Sequence, residues 1–150
     1  MSDLITKILD FPVLFSIQIG TCLMLTGLIW LVQLVHYPSF TYISDSEFTR
    51  FEKFHSFWIS WIVIPLMTAE LASALFLTML FGFVSFWGLN LLGVILIWIS
   101  TAIFSAPCHI QLDKSKDIKI IQKLVFTNWP RTILWTLRSG LLLFSLHGLL

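Results

Sequence analysis

The sequence predicts an all-α fold, an integral membrane four-helix bundle, and three observations predict it. Hydrophobic residues make up 57% of the 150 residues and charged ones only 11%, against about 25% charged in soluble domains. The apolar residues gather into four runs long enough to cross a bilayer, since about 20 residues at 1.5 Å rise each cover a hydrocarbon core of roughly 30 Å. Most of the charges gather in the connections between those runs. The chain, 1–150, therefore reads as a single four-span transmembrane domain, with spans at about 11–35, 56–81, 87–106 and 129–149.

The first run, Phe11 to Val35, is uncharged and longer than a secretory core of about 7–15 residues, so it reads as a retained span. The second helix is expected to begin near Asp45, because Ser44 and Glu47 have capping-box spacing and Phe48, Phe51 and His55 share the face that follows. No charge separates Glu70 from His109, a stretch too long for one crossing, and Gly82, Ser85, Gly88 and Asn90 supply the turn that divides it. Pro65 and Pro107 are expected to bend or stop their helices and so open space between them. In the connection before the fourth span, Ile118, Ile121 and Val125 form a stripe opposite Lys116, Lys119 and Lys123. That pattern predicts a short helix lying on the membrane surface. Cys22 and Cys108 read as thiols, because nothing in the pattern brings them to one depth.

Arg50, Lys53, Lys114, Lys116, Lys119, Lys123 and Arg131 fall on one side of the spans and only Lys7 on the other. Positive residues stay inside, so both long connections are expected in the cytoplasm and both termini outside; in a bacterium the membrane would be the cytoplasmic (inner) one. The formal charge of +1 and the scattered basic residues argue against nucleic acid as a partner. The lipid bilayer is the expected partner, with a hydrophobic small molecule as a second, and the oligomeric state is left open.

Alternation of direction places His36, His55, His109 and Arg131 at one membrane face. Three imidazoles at one level can bind a metal or haem or relay protons, or can simply face water and headgroups. None of the spacings HxxH, HExxH or ExxH is recognised among them, and the cofactor, if there is one, stays unknown. On the fourth span Asn128, Arg131, Trp135 and Arg138 share one helical face. Arg138 lies about 13 Å beyond Trp129 along the axis, inside the hydrocarbon region, and Glu70 lies deeper still on the second span, by roughly 6 Å. An ionisable group at such depth costs about 2.5–3.5 kcal/mol, so Glu70 and Arg138 are expected to form an intramembrane ion pair. The pair would either pin two helices together or form the charged floor of a ligand pocket. Trp58, Trp61, Trp98, Trp129 and Trp135 are candidates to line such a pocket, Trp58 and Trp129 being better placed for the interfacial belt.

Three stretches carry a family resemblance: His36-Tyr37-Pro38-Ser39-Phe40, Ser105-Ala106-Pro107-Cys108-His109-Ile110-Gln111-Leu112, and Asn128-Trp129-Pro130-Arg131-Thr132. In order and placement they resemble the anthrone-oxygenase-like family of small four-span membrane proteins. That family has a Pro after span one, a P-x-N-x-x-L-like end to span three and an N-x-x-R-T-like start to span four. The resemblance implies that Pro38, Pro107, Asn128, Arg131 and Thr132 are family positions; His109 stands near the family's Asn, and His36 precedes the Pro. Some members oxidise anthrones to anthraquinones.

Two functions follow as expectations. One is an oxidoreductase or oxygenase acting on a hydrophobic phenolic or quinone-like molecule, with His36, His55 and His109 as metal ligands or as acid and base. Asn128 and Arg131 would then stabilise an oxyanion. The other is a non-catalytic carrier, lipid-binding protein or subunit of a larger membrane complex, so whether the protein is an enzyme is left open. Reporter fusions test the topology: a C-terminal fusion is expected to report from outside, and a cytoplasmic signal would reverse the orientation.

Overall fold

The computed structural model describes residues 11–147, and the regular structure among them is entirely helical. Lys7, both chain ends and the last residues of the fourth predicted span lie outside the described residues. Four continuous helical stretches make up the fold: α1 (Pro12–Tyr42), α2 (Asp45–Phe81), α3 (Phe86–Leu112) and α4 (Ile118–His147). The first three, of 31, 37 and 27 residues, are long and apolar enough to cross a membrane. α4 is not among them: Arg131, Arg138 and the hydroxyl residues of its inner face lower its hydropathy. Each helix packs against the next, and α4 returns to pack against α1.

The helices run further than the predicted spans. α1 continues past residue 35 to Tyr42, α2 begins at Asp45, and α3 continues past residue 106 to Leu112. The two long connections therefore shrink to 43–44 and 113–117. The predicted surface helix does not exist as a separate element. Its stripe is the first turns of α4, and Ile121 and Leu124 are buried in the core, facing protein rather than lipid. Asp117 starts α4, its Oδ1 accepting from the Lys119 and Ile120 amides at 2.8 and 3.4 Å. Lys116 fastens the same connection to the α1–α2 turn, donating to the Ile43 carbonyl at 2.6 Å and pairing with Asp45 at 3.1 Å. The Ser44 hydroxyl turns to Ser46 and makes no bond to the first amides of α2, so the expected capping box is not formed, although α2 begins where that spacing places it.

Neither proline stops its helix. α2 runs unbroken through Pro65. In α3 a π-helical turn, Thr101–Ser105, directly precedes Pro107, and in α1 another, Val32–His36, precedes Pro38. A proline offers no amide to the carbonyl four residues back and its ring crowds that carbonyl. A wider turn just before it relieves the crowding and lets the helix proceed.

The α2–α3 hairpin depends on two glycines. Gly82 ends α2 with φ +92°, and a Cβ on Gly88 would fall 1.9 Å from the Phe83 carbonyl oxygen. Ser85 caps α3 there, accepting from the Trp87 and Gly88 amides at 3.1 and 3.4 Å.

Polarity is inverted relative to a water-soluble protein. Large apolar side chains such as Met24, Trp61, Ile64, Phe76, Leu89 and Ile103 stand on the outside, while Gln18, Gln33, Glu52, Glu70, Asn128, Arg131 and Arg138 are buried. At the middle of the helices Arg138 donates to Glu70 Oε1 at 2.7 Å and, through Nε and a terminal nitrogen, to Asn90 Oδ1 at 3.1 Å. The Trp135 indole donates to the same carboxylate at 3.2 Å, and the Gln18 side-chain carbonyl accepts from Ser73 at 2.8 Å. Gly93 makes room for the arginine, since a Cβ there would lie 2.7 Å from Arg138 Cδ. Cys22 and Cys108 are both buried and free.

Removing one partner leaves a buried charge unanswered. Glu70→Ala is expected to lower stability by about 3–5 kcal/mol, and the double change Glu70→Leu with Arg138→Leu to cost less than either charge left alone. Reversible unfolding in mixed micelles measures both.

Candidate functional site

The second polar tier lies where α1 and α3 end and α2 and α4 begin, and the two π turns shape it. Within α1 the turn at Val32–His36 spreads consecutive residues over different neighbours: Gln33 meets α4, His36 meets α2, and Tyr37 meets α3. Within α3 the turn at Thr101–Ser105 presents Thr101 to α4 and is followed by His109, which meets α2. π turns recur at functional sites because they re-aim side chains without breaking a helix.

Glu52 is wholly buried on α2 and holds His109, Nδ1 to Oε1, at 2.5 Å; the Ser56 hydroxyl donates to the same oxygen at 3.0 Å. With Glu52 as carboxylate, His109 Nδ1 carries the proton, and Nε2 is left to accept from the Tyr37 hydroxyl 3.1 Å away. Glu52, His109 and Tyr37 thus form one chain across three helices.

Arg131 and Asn128 form the α4 side. The Asn128 side-chain carbonyl accepts from Arg131, while its amide donates to Gln33 Oε1 at 2.8 Å. Arg131 also donates to Thr101 at 3.2 Å, and Thr132 reaches Gln33 at 3.4 Å. Gln33 Nε2 in turn donates to the Val125 carbonyl at 3.1 Å. Gln33 is thereby held in one orientation, and with it Asn128 and Arg131.

Both groups meet at a cavity of about 390 Å³. Tyr37, Thr101, Ser105, His109, Asp113 and Arg131 supply its polar lining, and Leu25, Ile29, Val63, Met67, Trp98 and Trp135 its apolar body. Arg131 Nε and Ser105 Oγ are buried there without a protein hydrogen-bond partner, which fits a cavity that receives a ligand carrying acceptor oxygens. Of the five tryptophans considered above, Trp98 and Trp135 line this cavity, Trp58 lines another, Trp61 is exposed, and Trp129 packs edge-on against Trp30.

The three imidazoles lie close together, with ring centroids 4.3 Å apart for His36 and His55 and 5.5 Å for His55 and His109, but they open onto different spaces. His109 lines the cavity with Arg131, whereas His36 and His55 line a separate recess of about 270 Å³ between α1 and α2. There His36 Nε2 and His55 Nδ1 face each other at 2.7 Å, one donating and one accepting. Among the described residues no group of three or more His, Cys, Asp or Glu is placed to hold a metal ion. In this arrangement two of the imidazoles bond each other, and the third bonds Glu52 and Tyr37.

Glu52 and Tyr37 are missing from the sequence-based set of site residues. A signal for Glu52 exists, since it stands three residues before His55 in an E-x-x-H spacing. Tyr37 lies inside the His36–Phe40 stretch, but an aromatic hydroxyl next to a span end offers no chemical signal of its own.

The fold and site together define an all-helical protein with an apolar cavity ended by a Glu-His-Tyr chain and a fixed arginine. No family model, curated protein or solved structure matches the chain.

Asn128 holds two buried partners, so Asn128→Ala is expected to cost about 1–3 kcal/mol by leaving Gln33 and Arg131 short of bonds. Thr127→Ala, which removes bonds only to carbonyls of its own helix, is expected to stay within about 0.5 kcal/mol. Chemical unfolding of the two variants in micelles makes the comparison.

Proposed function

We propose that the chain is a four-span integral membrane protein that binds a hydrophobic molecule bearing a phenol or carbonyl oxygen and removes a proton from it. Four helices with apolar exteriors and buried charges suit a bilayer. The bias of Lys and Arg towards the ends that carry Arg50 and Lys119 favours the cytoplasm for that face and the outside for both termini.

The observation that carries the reading is the Glu52-His109-Tyr37 chain ending at the cavity beside Arg131. The Tyr37 oxygen accepts the substrate proton as its own proton passes to His109 Nε2, and Glu52 balances the imidazolium that forms. The electron pair released stays on the substrate as an enolate or phenolate, whose oxygen lies within the field of Arg131. With dioxygen as co-reactant a benzylic methylene enolate is oxidised to a carbonyl: CH2 and O2 become C=O and H2O. This agrees with what the resemblance to the anthrone-oxygenase-like family implies, and it gives Asn128, Arg131 and Thr132 the task of fixing the anion-binding end.

Anthrone supplied to the purified protein in detergent tests it, followed by anthraquinone absorbance and oxygen uptake. His109→Ala is expected to lower the rate by about 10²–10⁴-fold and Arg131→Gln by about 10²–10³-fold. Turnover unchanged in His109→Ala overturns the proposal. Saturable binding without proton loss in the wild type would instead mark a carrier.

A further inference from the structure

The geometry points to a second role for the paired imidazoles: His36 and His55 carry protons between the buried Glu52-His109-Tyr37 chain and the recess between α1 and α2. This deepens the reading of His109 as a base and rests on it only for the direction of flow.

A base that takes a proton while a ligand fills its cavity must lose it before the next cycle. The bound ligand blocks the way out through the cavity. A second recess, between α1 and α2, has His36 and His55 in its wall, the rest of its lining being apolar. His36 is half-buried and so reaches the outer part of that recess, while His55 is buried behind it.

Two loose ends bring the chains together. Glu52 Oε2 and His55 Nε2 are both buried and lack a protein hydrogen-bond partner. They belong to residues one turn apart on the same face of α2. The rings of His55 and His109 are 5.5 Å apart, and those of His55 and Tyr37 6.4 Å. A bridging water or a turn of the carboxyl is the link the relay needs between Oε2 and Nε2. The titratable groups around the pair are Glu52 on α2, Tyr37 on α1 and His109 on α3. The remaining neighbours, Phe40 and Phe51, are aromatic faces that hold the two rings in place.

The proton balance is complete without a further reactant. A proton arriving at His109 Nε2 releases the Nδ1 proton to Glu52 Oε1. The carboxyl then turns about its Cγ–Cδ bond and passes that proton to His55 Nε2, while His55 Nδ1 gives its own to His36 Nε2. His36 delivers one from its other nitrogen to solvent that reaches its half-buried ring. Each group ends with the protons it started with once the imidazoles have turned over or exchanged tautomers.

Nitrogen-15 NMR of histidine-labelled protein in nanodiscs tests this without any substrate, by measuring exchange of the His109 ring proton with water. Exchange is expected to slow by about tenfold or more in His36→Ala and in His36→Gln, and to recover in His36→Ala on addition of free imidazole. The unchanged His109 Nδ1 shift in His36→Gln checks that the Glu52 bond persists. Exchange at the wild-type rate in both variants overturns the relay, and so does slowed exchange that imidazole leaves unmoved, since that marks a structural role. Anthrone inert towards the wild-type protein would overturn the proposed reaction while leaving this result standing.

Discussion

A polar group buried away from water must find its partner inside the protein, and the interior follows from that constraint. The penalty for an unpaired charge is several kcal/mol, more than one pair of packed helices readily offsets. The polar side chains are accordingly gathered into two tiers, each drawing on all four helices. In the middle tier Arg138 meets Glu70 and Asn90, with Gln18 and Ser73 completing the ring of helices. In the end tier Gln33, Glu52, His109 and Arg131 come one from each helix. Either tier fixes the rotation of every helix about its axis, which apolar packing alone specifies loosely when the outside is apolar too.

The prolines and π turns solve a related problem in the backbone. An α-helix that kept strict register from Pro12 to Tyr42 would aim one face along its whole length. The extra residue in the turn before Pro38 shifts that face, so that Gln33, His36 and Tyr37 are given to three different helices. The same device before Pro107 separates Thr101, which serves Arg131, from His109, which serves Glu52. Chemistry at this end is thus built on continuous helices, whose positions are better defined than those of loops.

This explains what could be read from the residues and what could not. Depth is legible, because rise per residue is fixed, and so Glu70 and Arg138 could be placed within roughly 6 Å of each other along the axis, a gap their side chains bridge. Rotation is harder to read: His36, His55 and His109 share a level and lie close together, yet only His109 lines the cavity with Arg131. The stripe of Ile118 and Ile121 was ambiguous for another reason: an apolar face suits lipid and protein equally, and only the length of the connection decides that α4 begins there. Glu52 is legible in part, since a helix that begins near Asp45 puts it on one face with Phe48 and His55.

Trp135 shows why the two tiers are one construction. Its ring lines the cavity, and its indole nitrogen bonds the Glu70 carboxylate that Arg138 holds. The ion pair, which touches no part of the polar end, therefore sets the position of the flat wall against which a ligand would lie. Arg131 and Trp135 lie one turn apart on the same face of α4, so the arginine at the polar end of the cavity and the tryptophan that bounds it ride on the same helix. A charge pair that only pinned helices would leave the cavity indifferent to it. Here the pinning reaches the cavity wall through a single hydrogen bond, and the stability of the middle tier is at the same time the precision of the site.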